Sequence, residues 1–272
     1  MKIKKLIILL LLISITLIYA KEPVEVCTDN SDWAPYTYYE RNASGEKTDK
    51  FIGASIEALD MVSKKENIIF NIQGYPWKRC LKSVELFGNV KKFEAFMDGT
   101  SNKSREEKYL RTEPFYANIS GVFYSKDRFP KGLTIKNSKD LDPYKICGVH
   151  GFNYTENVSW GMKNEIDTTA KSISSVLKKV SLGRCEVFVS SLEPILGKEL
   201  LDNNTIPENV HYTSIKNNPK SYYYFWISKQ SPRAEELRDK INKAMNTLKK
   251  DGTWETIYKR YIPIGSGLEL KK

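Results

Sequence analysis

The stretch YPWKRCLKSVELFGNVKKFEAFMDGTSNKSREEKYLRTEPFY, residues 75–116, joins a helical pattern to a strand pattern and places polar side chains at both junctions. Pro76 suits the first turn of a helix, and the pattern predicts that this helix ends at Gly88. The apolar run FEAFMDG, residues 93–99, predicts a strand. A hydrophobic core needs neither Trp-Lys-Arg at a helix start nor a Gly-Thr-Ser loop followed by an Arg. We therefore interpret both junctions as parts of a ligand site.

Strands and helices alternate in the same way over the rest of the chain. The predicted strands are 24–27, 68–75, 144–151, 166–171 and 185–191, and the predicted helices are 53–66, 153–165 and 172–183. Such alternation is typical of βαβ units with parallel strands and right-handed crossovers. Because the alternation occurs in both halves of the chain, the sequence predicts two α/β lobes.

Two further strand-like stretches, residues 120–130 and 222–230, predict two crossings between the lobes that form a two-stranded hinge. We therefore expect lobe one to contain residues 21–121 and 225–272, and lobe two to contain residues 122–224. Two helices, separated at residues 251–252, follow the second crossing. An apolar stripe on the first of them predicts packing onto a lobe rather than onto a partner protein. Its members are Leu237, Ile241, Ala244, Met245 and Leu248.

The first twenty residues have the pattern of a secretory signal peptide. Lys2, Lys4 and Lys5 precede an apolar run at residues 6–18, and Ala20 ends a small-residue cleavage pattern. The alternative is an uncleaved membrane anchor, but the run is shorter than the ~20 residues that a span needs. We therefore expect a periplasmic protein whose mature chain begins at about Lys21.

The formal net charge is +10, and the basic residues are interspersed with acidic ones along the chain. A basic surface can attract nucleic acid or an anionic membrane. Nucleic-acid binding predicts a continuous Lys/Arg stripe and a steep dependence on salt. The interspersed acidic residues argue against that alternative, so we expect a solvated monomer that binds no nucleic acid.

The four cysteines, Cys27, Cys80, Cys147 and Cys185, are an even number in a chain that we expect to be exported. Disulfide bonds are therefore allowed. Pairing Cys27 with Cys80 and Cys147 with Cys185 keeps each bond within one half of the chain, and four buried free thiols are the alternative. The spacing contains no Cys-x-x-Cys and no Cys/His cluster, so we expect no metal site and no cofactor.

The polar and aromatic residues of the chain gather in the loops that follow the predicted strands. In open parallel sheets, ligands bind beyond the carboxyl ends of the strands. The loops that follow five strands are residues 29–39, 76–79, 98–105, 150–155 and 190–193. Aromatic faces, an Arg fork and hydroxyl groups suit a small ligand that carries a carboxylate. Taken singly, a Trp can be a core residue and an Arg can be a solvated helix charge.

Enzyme signatures are few. The two histidines, His150 and His211, have no nucleophile and acid arranged around them, and the chain has no H-E-x-x-H, G-x-S-x-G or phosphate-loop motif. An enzyme would need a general acid such as Glu193 or His150 within hydrogen-bond distance of a substrate. An enzyme is therefore the second functional hypothesis.

Across nearly the whole mature chain, the sequence resembles the extracellular solute-binding proteins of the polar amino-acid type, the periplasmic clamshell family of ABC importers. The stretches that carry the resemblance are TDNSDWAPYTYYE, GASIEALD, YPWKRCL, FEAFMDGTSNKSREEKYLRTEPFY, GVHGFNYTEN, GRCEVFVSS and KKDGTWETIYKRYI. The resemblance implies a two-lobed α/β clamshell that captures an amino acid or a related ligand for import or chemosensing. It also implies an importer permease as a partner and no cofactor. For the enzyme hypothesis, it implies a dehydratase-like activity on the same scaffold.

The resemblance also implies roles for individual residues of the first half. Trp33 would stack on the ligand, and Trp77 would close the other side of the site. Thr100 and Ser101 would present backbone and hydroxyl groups. Arg105 lies seven residues before the Thr of the TEPFY motif, the position of the Arg that clamps the ligand α-carboxylate in the family.

In the second half, the resemblance assigns Phe152, Asn153 and Tyr154 as donors to the same carboxylate. One position departs from the family pattern. Where amino-acid binders carry an Asp that pairs with the ligand α-ammonium, this chain has Ser191, and Glu193 lies two residues further along. A carboxylate ligand without a free amine, or a peptide-like ligand, therefore stays open beside an α-amino acid.

Overall fold

The computed structural model describes residues 22–202 and 205–261, and the predicted signal peptide, residues 1–20, lies outside the described residues. The strands are β1 (Val24–Asp29), β2 (Tyr38–Arg41), β3 (Lys47–Ile52), β4 (Phe70–Tyr75), β5 (Ala95–Thr100), β6 (Tyr109–Arg111), β7 (Tyr116–Asn118), β8 (Ser120–Ser125), β9 (Ile146–Val149), β10 (Ile166–Ala170), β11 (Val187–Ser191), β12 (Val210–Ser214) and β13 (Ser221–Ser228). The helices are α1 (Ala54–Glu66), α2 (Trp77–Glu85), α3 (Phe87–Val90), α4 (Lys103–Lys108), α5 (Thr155–Ser159), α6 (Ile173–Ser181), α7 (Leu192–Asp202), α8 (Ala234–Lys250) and α9 (Thr253–Tyr261), with a 3-10 turn at Ser138–Leu141.

Two sheets form the two lobes. Lobe one has the strand order β4-β1-β5-β13-β6, with β7 also paired to β13, and carries the separate hairpin β2-β3. Lobe two has the order β10-β9-β11-β8-β12. The pairs around β1 and β9 are parallel, whereas β13 and β8 pair antiparallel with their neighbours. The predicted two-lobed α/β architecture is confirmed. Each sheet combines parallel pairs with one antiparallel strand next to a crossing between the lobes, which is β13 in lobe one and β8 in lobe two.

Three features differ from the predictions. Helix α5 ends at Ser159 instead of residue 165, because Gly161 takes a left-handed φ of 103° that stops the helical path. Helix α2 ends at Glu85, and Gly88 lies inside the short helix α3 rather than at the end of α2. The hairpin β2-β3 was not predicted, because its polar, half-exposed residues lack the apolar alternation that marks a strand.

The end of the chain completes the lobe that its beginning starts. Strand β13 lies between β5 and β6, and the predicted apolar stripe of α8 is buried. Glu94, only 2% exposed, accepts hydrogen bonds from Arg233 Nη2 at 2.6 Å and from Ser231 Oγ at 2.5 Å. Arg233 also donates to the carbonyl of Pro23 at 3.1 Å. This buried ion pair therefore joins the starts of β1, β5 and α8.

The two crossings between the lobes run side by side. Asn118 pairs with Ser221 in lobe one, and the Ile215 N–H donates to the Ser120 carbonyl at 2.9 Å on the lobe-two side. Strands β8 and β12 continue this antiparallel pairing within lobe two. The sheets change close to the expected lobe limits, 121/122 and 224/225, and those limits themselves stay a prediction.

Both predicted disulfide bonds are present. Cys27–Cys80 joins β1 to α2, and Cys147–Cys185 joins β9 to the residue two positions before β11. Each bond therefore lies within a single lobe. Across residues 22–202 and 205–261, none of the helices combines the length and the apolar character that crossing a bilayer requires.

We expect the double variant Cys27→Ala with Cys80→Ala to lower the free energy of unfolding by about 4 kcal/mol, because the bond closes a long loop in the unfolded chain. The sequence separation of its two cysteines is 53 residues. Urea denaturation of the oxidised proteins measures the difference. The matched double variant Cys147→Ala with Cys185→Ala removes a bond between cysteines that are 38 residues apart in the sequence. Its free energy of unfolding should fall by a similar amount. Equal stability of the wild type with and without reductant would contradict this expectation.

Candidate ligand-binding site

A cleft lies between the lobes, at the carboxyl ends of β1, β5 and β11. Its lining residues come from both lobes and from both crossings. They are Thr28, Asp29, Trp33, Trp77, Asp98, Thr100, Arg105, Ser120, Phe152, Asn153, Tyr154, Glu156, Asn157, Val189, Ser190, Ser191, Ser221 and Tyr223. Eight of the nine residues predicted for a ligand site are in this set. Ser101 is not, because its hydroxyl donates to Glu106 at 2.5 Å on the exposed side of α4.

The Arg105 guanidinium is buried in this cleft, with the residue 7% exposed. Asn102 caps α4 by accepting the Arg105 backbone N–H at 2.8 Å, which fixes where the side chain starts. Nη1 donates to the Thr100 carbonyl at 2.6 Å, and the guanidinium lies 5.6 Å from the Trp77 ring centre. Burial lowers the pKa of Arg105 to about 10, so the group stays charged at neutral pH.

No Asp or Glu oxygen in the described part of the chain lies within 4.0 Å of the Arg105 guanidinium, as none of the ion pairs includes this residue. A buried charge without a partner is costly. A guanidinium in this state presents a fork of N–H donors that matches a carboxylate or a phosphate. The cleft therefore contains a candidate anion site.

Aromatic side chains form two walls of the cleft. Trp33 meets Phe152 of lobe two edge to face at a centroid distance of 5.7 Å and donates its indole N–H to the Tyr116 hydroxyl at 2.9 Å. Trp77 donates its indole N–H across the cleft to the Gly151 carbonyl at 3.1 Å. Both tryptophans thus contact the opposite lobe, which makes the described conformation a closed one.

Polar contacts also cross the cleft. Asn153 Nδ2 of lobe two donates to Thr100 Oγ1 and to the Ser101 carbonyl, both at 2.9 Å. Ser191 Oγ lies 2.9 Å from the hydroxyl of Tyr223, which belongs to β13 of lobe one. Tyr154 is anchored within its own lobe, where its hydroxyl accepts the Val149 N–H at 2.7 Å.

A cluster of ion pairs joins the lobes at the rim of the cleft. Asp202 at the end of α7 pairs with Arg41 of the lobe-one hairpin at 2.6 Å, and Lys198 of α7 pairs with Asp32 at 3.5 Å. Burial raises the pKa of Asp32, but hydrogen bonds from Lys47, Tyr39 and Arg41 outweigh burial, so the net pKa is below its usual value. Gly197 permits this approach, because a Cβ there would lie 2.5 Å from the Ala34 carbonyl oxygen.

Three carboxyl groups line the cleft: Asp29, Asp98 and Glu156. Burial raises the pKa of Asp98 to about 6, despite hydroxyl donors that act in the opposite direction. No Lys, Arg or His of the described residues forms an ion pair with Asp98. Burial also raises the pKa of Glu156, while Ser221 and Arg105 act to lower it.

Sequence reasoning missed part of this lining. Tyr223, Ser120 and Ser221 lie in β13 and β8, beside the crossings, so their distance along the chain from the other loops hid them. Asp98 is visible in the sequence as an acidic residue that ends the apolar run of β5. An Asp between apolar strand residues and Gly99 was the signal that could have predicted Asp98 as a residue of the cleft.

The acids considered for an enzyme lie outside the cleft. Both carboxylate oxygens of Glu193 accept the Ile119 N–H at the crossing, at 2.9 and 3.1 Å, and His150 is exposed. One group of potential metal ligands occurs among the described residues, formed by Cys147, Asp167 and Cys185. Its two sulfurs are joined in a disulfide bond, so they do not bind a metal while oxidised.

Comparisons with known proteins agree with this architecture. The profile of the family described as "Bacterial extracellular solute-binding proteins, family 3" matches residues 24–264. The L-cystine-binding protein TcyA of Bacillus subtilis is 23% identical over 85% of this chain and 78% of its own length. The probable amino-acid-binding protein YxeM of the same organism is 25% identical over 84% and 80%. The arginine-, lysine-, histidine-binding protein ArtJ of Geobacillus stearothermophilus superposes with a TM-score of 0.66 at 17% identity, covering 89% of this chain and 95% of that one.

We expect Asp98→Asn to raise the free energy of unfolding of the ligand-free protein by about 2 to 3 kcal/mol at about pH 7.5, since folding holds an uncompensated carboxylate whose pKa is about 6. A carboxyl whose pKa is raised by folding costs stability above that pKa. The gain should therefore fade as the pH falls from 6 towards 4, because the folded carboxyl takes up a proton in this range and the pH then approaches the pKa of the unfolded carboxyl. Urea denaturation across this pH range measures it, with the exposed Asp60→Asn as the matched control. A gain that does not change with pH would contradict the expectation.

Proposed function

The chain belongs to the bacterial extracellular solute-binding proteins of family 3, and on that premise we propose that it captures an amino acid or a closely related carboxylate between its lobes. The observation that carries the proposal is the buried guanidinium of Arg105 without a carboxylate partner. A ligand carboxylate would supply that partner. The amino-acid ligands named for TcyA, YxeM and ArtJ support the same ligand class.

In this proposal, Arg105 clamps the ligand carboxylate with parallel N–H···O bonds, which are strong because both partners are charged. Trp33, Trp77 and Phe152 cover the apolar part of the ligand. Thr100 and Asn153, whose side chains bond to each other across the cleft, are near enough to Arg105 to exchange that contact for one to the ligand.

Lobe closure would follow from the distribution of these residues between the lobes. Arg105 and Trp33 belong to lobe one, and Phe152 and Asn153 belong to lobe two. A ligand that touches both sets stabilises the closed form more than the open form, which is the differential contact that a hinge motion requires. The closed protein would then deliver the ligand to an importer permease, or report it to a sensor, in the periplasm.

The proposal includes binding without turnover. Neither Glu193 nor His150 lines the cleft, so the dehydratase hypothesis lacks the general acids that the sequence suggested. A thermal-shift screen of the mature protein against L-amino acids, L-cystine, organic acids and short peptides tests the ligand class. A ligand at a hundred times its Kd should add about 2.7 kcal/mol of stability. Consumption of prephenate or arogenate, with no shift from any amino acid, would overturn the proposal.

We expect Arg105→Gln to weaken binding of the amino acid found in that screen by at least about 100-fold, because the variant loses a charge-assisted bidentate pair in a buried site. Isothermal titration calorimetry measures the loss. The matched control is Arg111→Gln, which removes the same charge from an exposed position in lobe one. Arg105→Lys keeps the charge and loses the fork, so it should bind with intermediate affinity.

These variants also separate folding from binding. The removal of an uncompensated buried charge should leave the ligand-free melting temperature equal or higher. Unchanged affinity in Arg105→Gln, with normal folding, would refute the clamp. An equal loss of affinity in Arg105→Gln and Arg111→Gln would show that net charge, rather than the clamp, accounts for the effect.

A further inference from the structure

We propose that the Asp98 carboxylate holds a cationic nitrogen of the ligand and replaces the acidic group that this chain lacks at Ser191. The ligand would then be a zwitterion held by two residues of lobe one, with its carboxylate on Arg105 and its cation on Asp98. This inference rests on the proposed function and specifies how that site selects its ligand.

The backbone directs Asp98 into the cleft. The pairing of β5 with β13 shifts between Tyr224 and Trp226, so that β5 carries one more residue than its partner at this point. Asp98 lies in this bulge with a left-handed φ of 62°. A bulge re-aims a side chain, and positive φ in a non-glycine residue often marks a functional position. The result is a carboxylate at the cleft wall in place of one more apolar strand residue.

Hydroxyl groups hold the Asp98 carboxylate in place. Oδ1 accepts from Tyr116 at 2.9 Å and from Ser55 at 3.3 Å, and Oδ2 accepts from Thr28 at 3.5 Å. The Thr37 hydroxyl also faces the carboxylate and acts to lower its pKa. These neutral hydroxyl groups orient Asp98 and supply no positive charge. The cation that would balance Asp98 must therefore come from outside the described side chains.

The other acidic groups of the cleft fit this role less well. Asp29 accepts hydrogen bonds from both the backbone N–H and the hydroxyl of Ser31, at 3.0 and 2.8 Å. These local bonds stabilise the loop after β1. Glu156 is the carboxyl that acts electrostatically on Arg105. The Ser191 hydroxyl is uncharged and is bonded to Tyr223. None of the three cleft carboxyls forms an ion pair with a described Lys, Arg or His, and Asp98 is the one that lies in the bulge of β5.

Asp98 is also connected to the aromatic wall. The Trp33 indole donates to the Tyr116 hydroxyl, and Tyr116 in turn donates to Asp98. Tyr116 is fixed between Tyr36 and Tyr223, with centroid distances of 3.6 and 4.9 Å in stacked geometry. Stacking against these two rings holds the Tyr116 hydroxyl that donates to Asp98. The same network positions both the carboxylate and the wall.

The experiment pairs a ligand change with a residue change. The first probe, the parent, is the L-amino acid that raises the melting temperature most in the thermal-shift screen. The second is its analogue with hydrogen in place of the α-ammonium group. If the parent has a cationic side chain, a third probe is its analogue with a neutral side chain. Calorimetry measures the Kd of each for the wild type and for Asp98→Asn. We expect Asp98→Asn to weaken the parent amino acid at least about 30-fold and one of the analogues less than about threefold.

The control variants test alternatives of matched chemistry. Asp60→Asn makes the same change on the exposed face of α1 and should leave all Kd values unchanged. Glu156→Gln and Asp29→Asn each remove one of the two competing cleft carboxyls. If either of these variants, and not Asp98→Asn, removes the discrimination between parent and analogue, the inference is wrong. It is also wrong if Asp98→Asn weakens parent and analogues equally.

A pH series with the wild type tests the inference without any variant. Affinity for the parent amino acid should fall as the pH drops through about 6, since a proton competes with the ligand cation for Asp98. The analogue that lacks the nitrogen should not show this fall. The groups that face Asp98 do not titrate in this range: they are the hydroxyls of Thr28, Thr37 and Ser55 and the tyrosines Tyr36, Tyr116 and Tyr258, whose pKa values burial raises. A parent and an analogue with the same pH profile would overturn the inference.

The outcomes distinguish this inference from the proposed function. If no L-amino acid and no L-cystine binds the wild type, both are wrong. If amino acids bind and Arg105→Gln abolishes binding, while Asp98→Asn and pH do not discriminate parent from analogue, the proposed function stands and only the role of Asp98 is refuted.

Discussion

A guanidinium that is buried without a carboxylate is the constraint on which the site depends. Removing a charge from water costs on the order of several kcal/mol, and a fold keeps such a group only where other interactions outweigh the cost. Arg105 is held by the Thr100 carbonyl and lies over the Trp77 ring, but neither neutralises its charge. The Arg105 guanidinium therefore has no directly bonded anion among the described residues, and the Glu156 carboxyl of the cleft acts on it only electrostatically.

Asp98 presents a charge of the opposite sign to the same cleft. Asp98 lies in β5 and Arg105 lies in α4, the next helix along the chain, so one short segment brings a carboxylate and a guanidinium to the same cleft. An ion pair between them would have removed the cost and the binding site together. Instead, hydroxyl groups orient Asp98 and a carbonyl orients Arg105, and in our proposal each of them pairs with a charged group of the ligand.

The contacts that close the lobes are of a different kind. At the rim, Asp202 pairs with Arg41, and Lys198 approaches Asp32, while inside the cleft Asn153 and Ser191 make neutral hydrogen bonds to lobe one. Asp32 is buried, whereas the Arg41–Asp202 pair is partly exposed, and partly exposed ion pairs contribute about 1 kcal/mol or less each. The partly exposed pair and the neutral hydrogen bonds therefore stabilise the closed form only weakly, and in our proposal the ligand contributes the larger part of the free energy of closure. Because the ligand-free lobes can then reopen, binding stays reversible.

The sequence by itself determined the alternation of strands and helices and the two lobes. It also singled out the two cysteine pairs that form bonds, and eight of its nine predicted ligand-site residues line the cleft. These follow from local periodicity, from the positions after strand ends, and from a resemblance carried by long motifs. Only the tertiary structure decided that Tyr223 and Ser221 join the cleft, that Ser101 faces Glu106, and that Asp98 points inward. The physical reason is that these features depend on a strand returning from the far end of the chain and on a bulge in its pairing, neither of which leaves a local periodicity in the sequence.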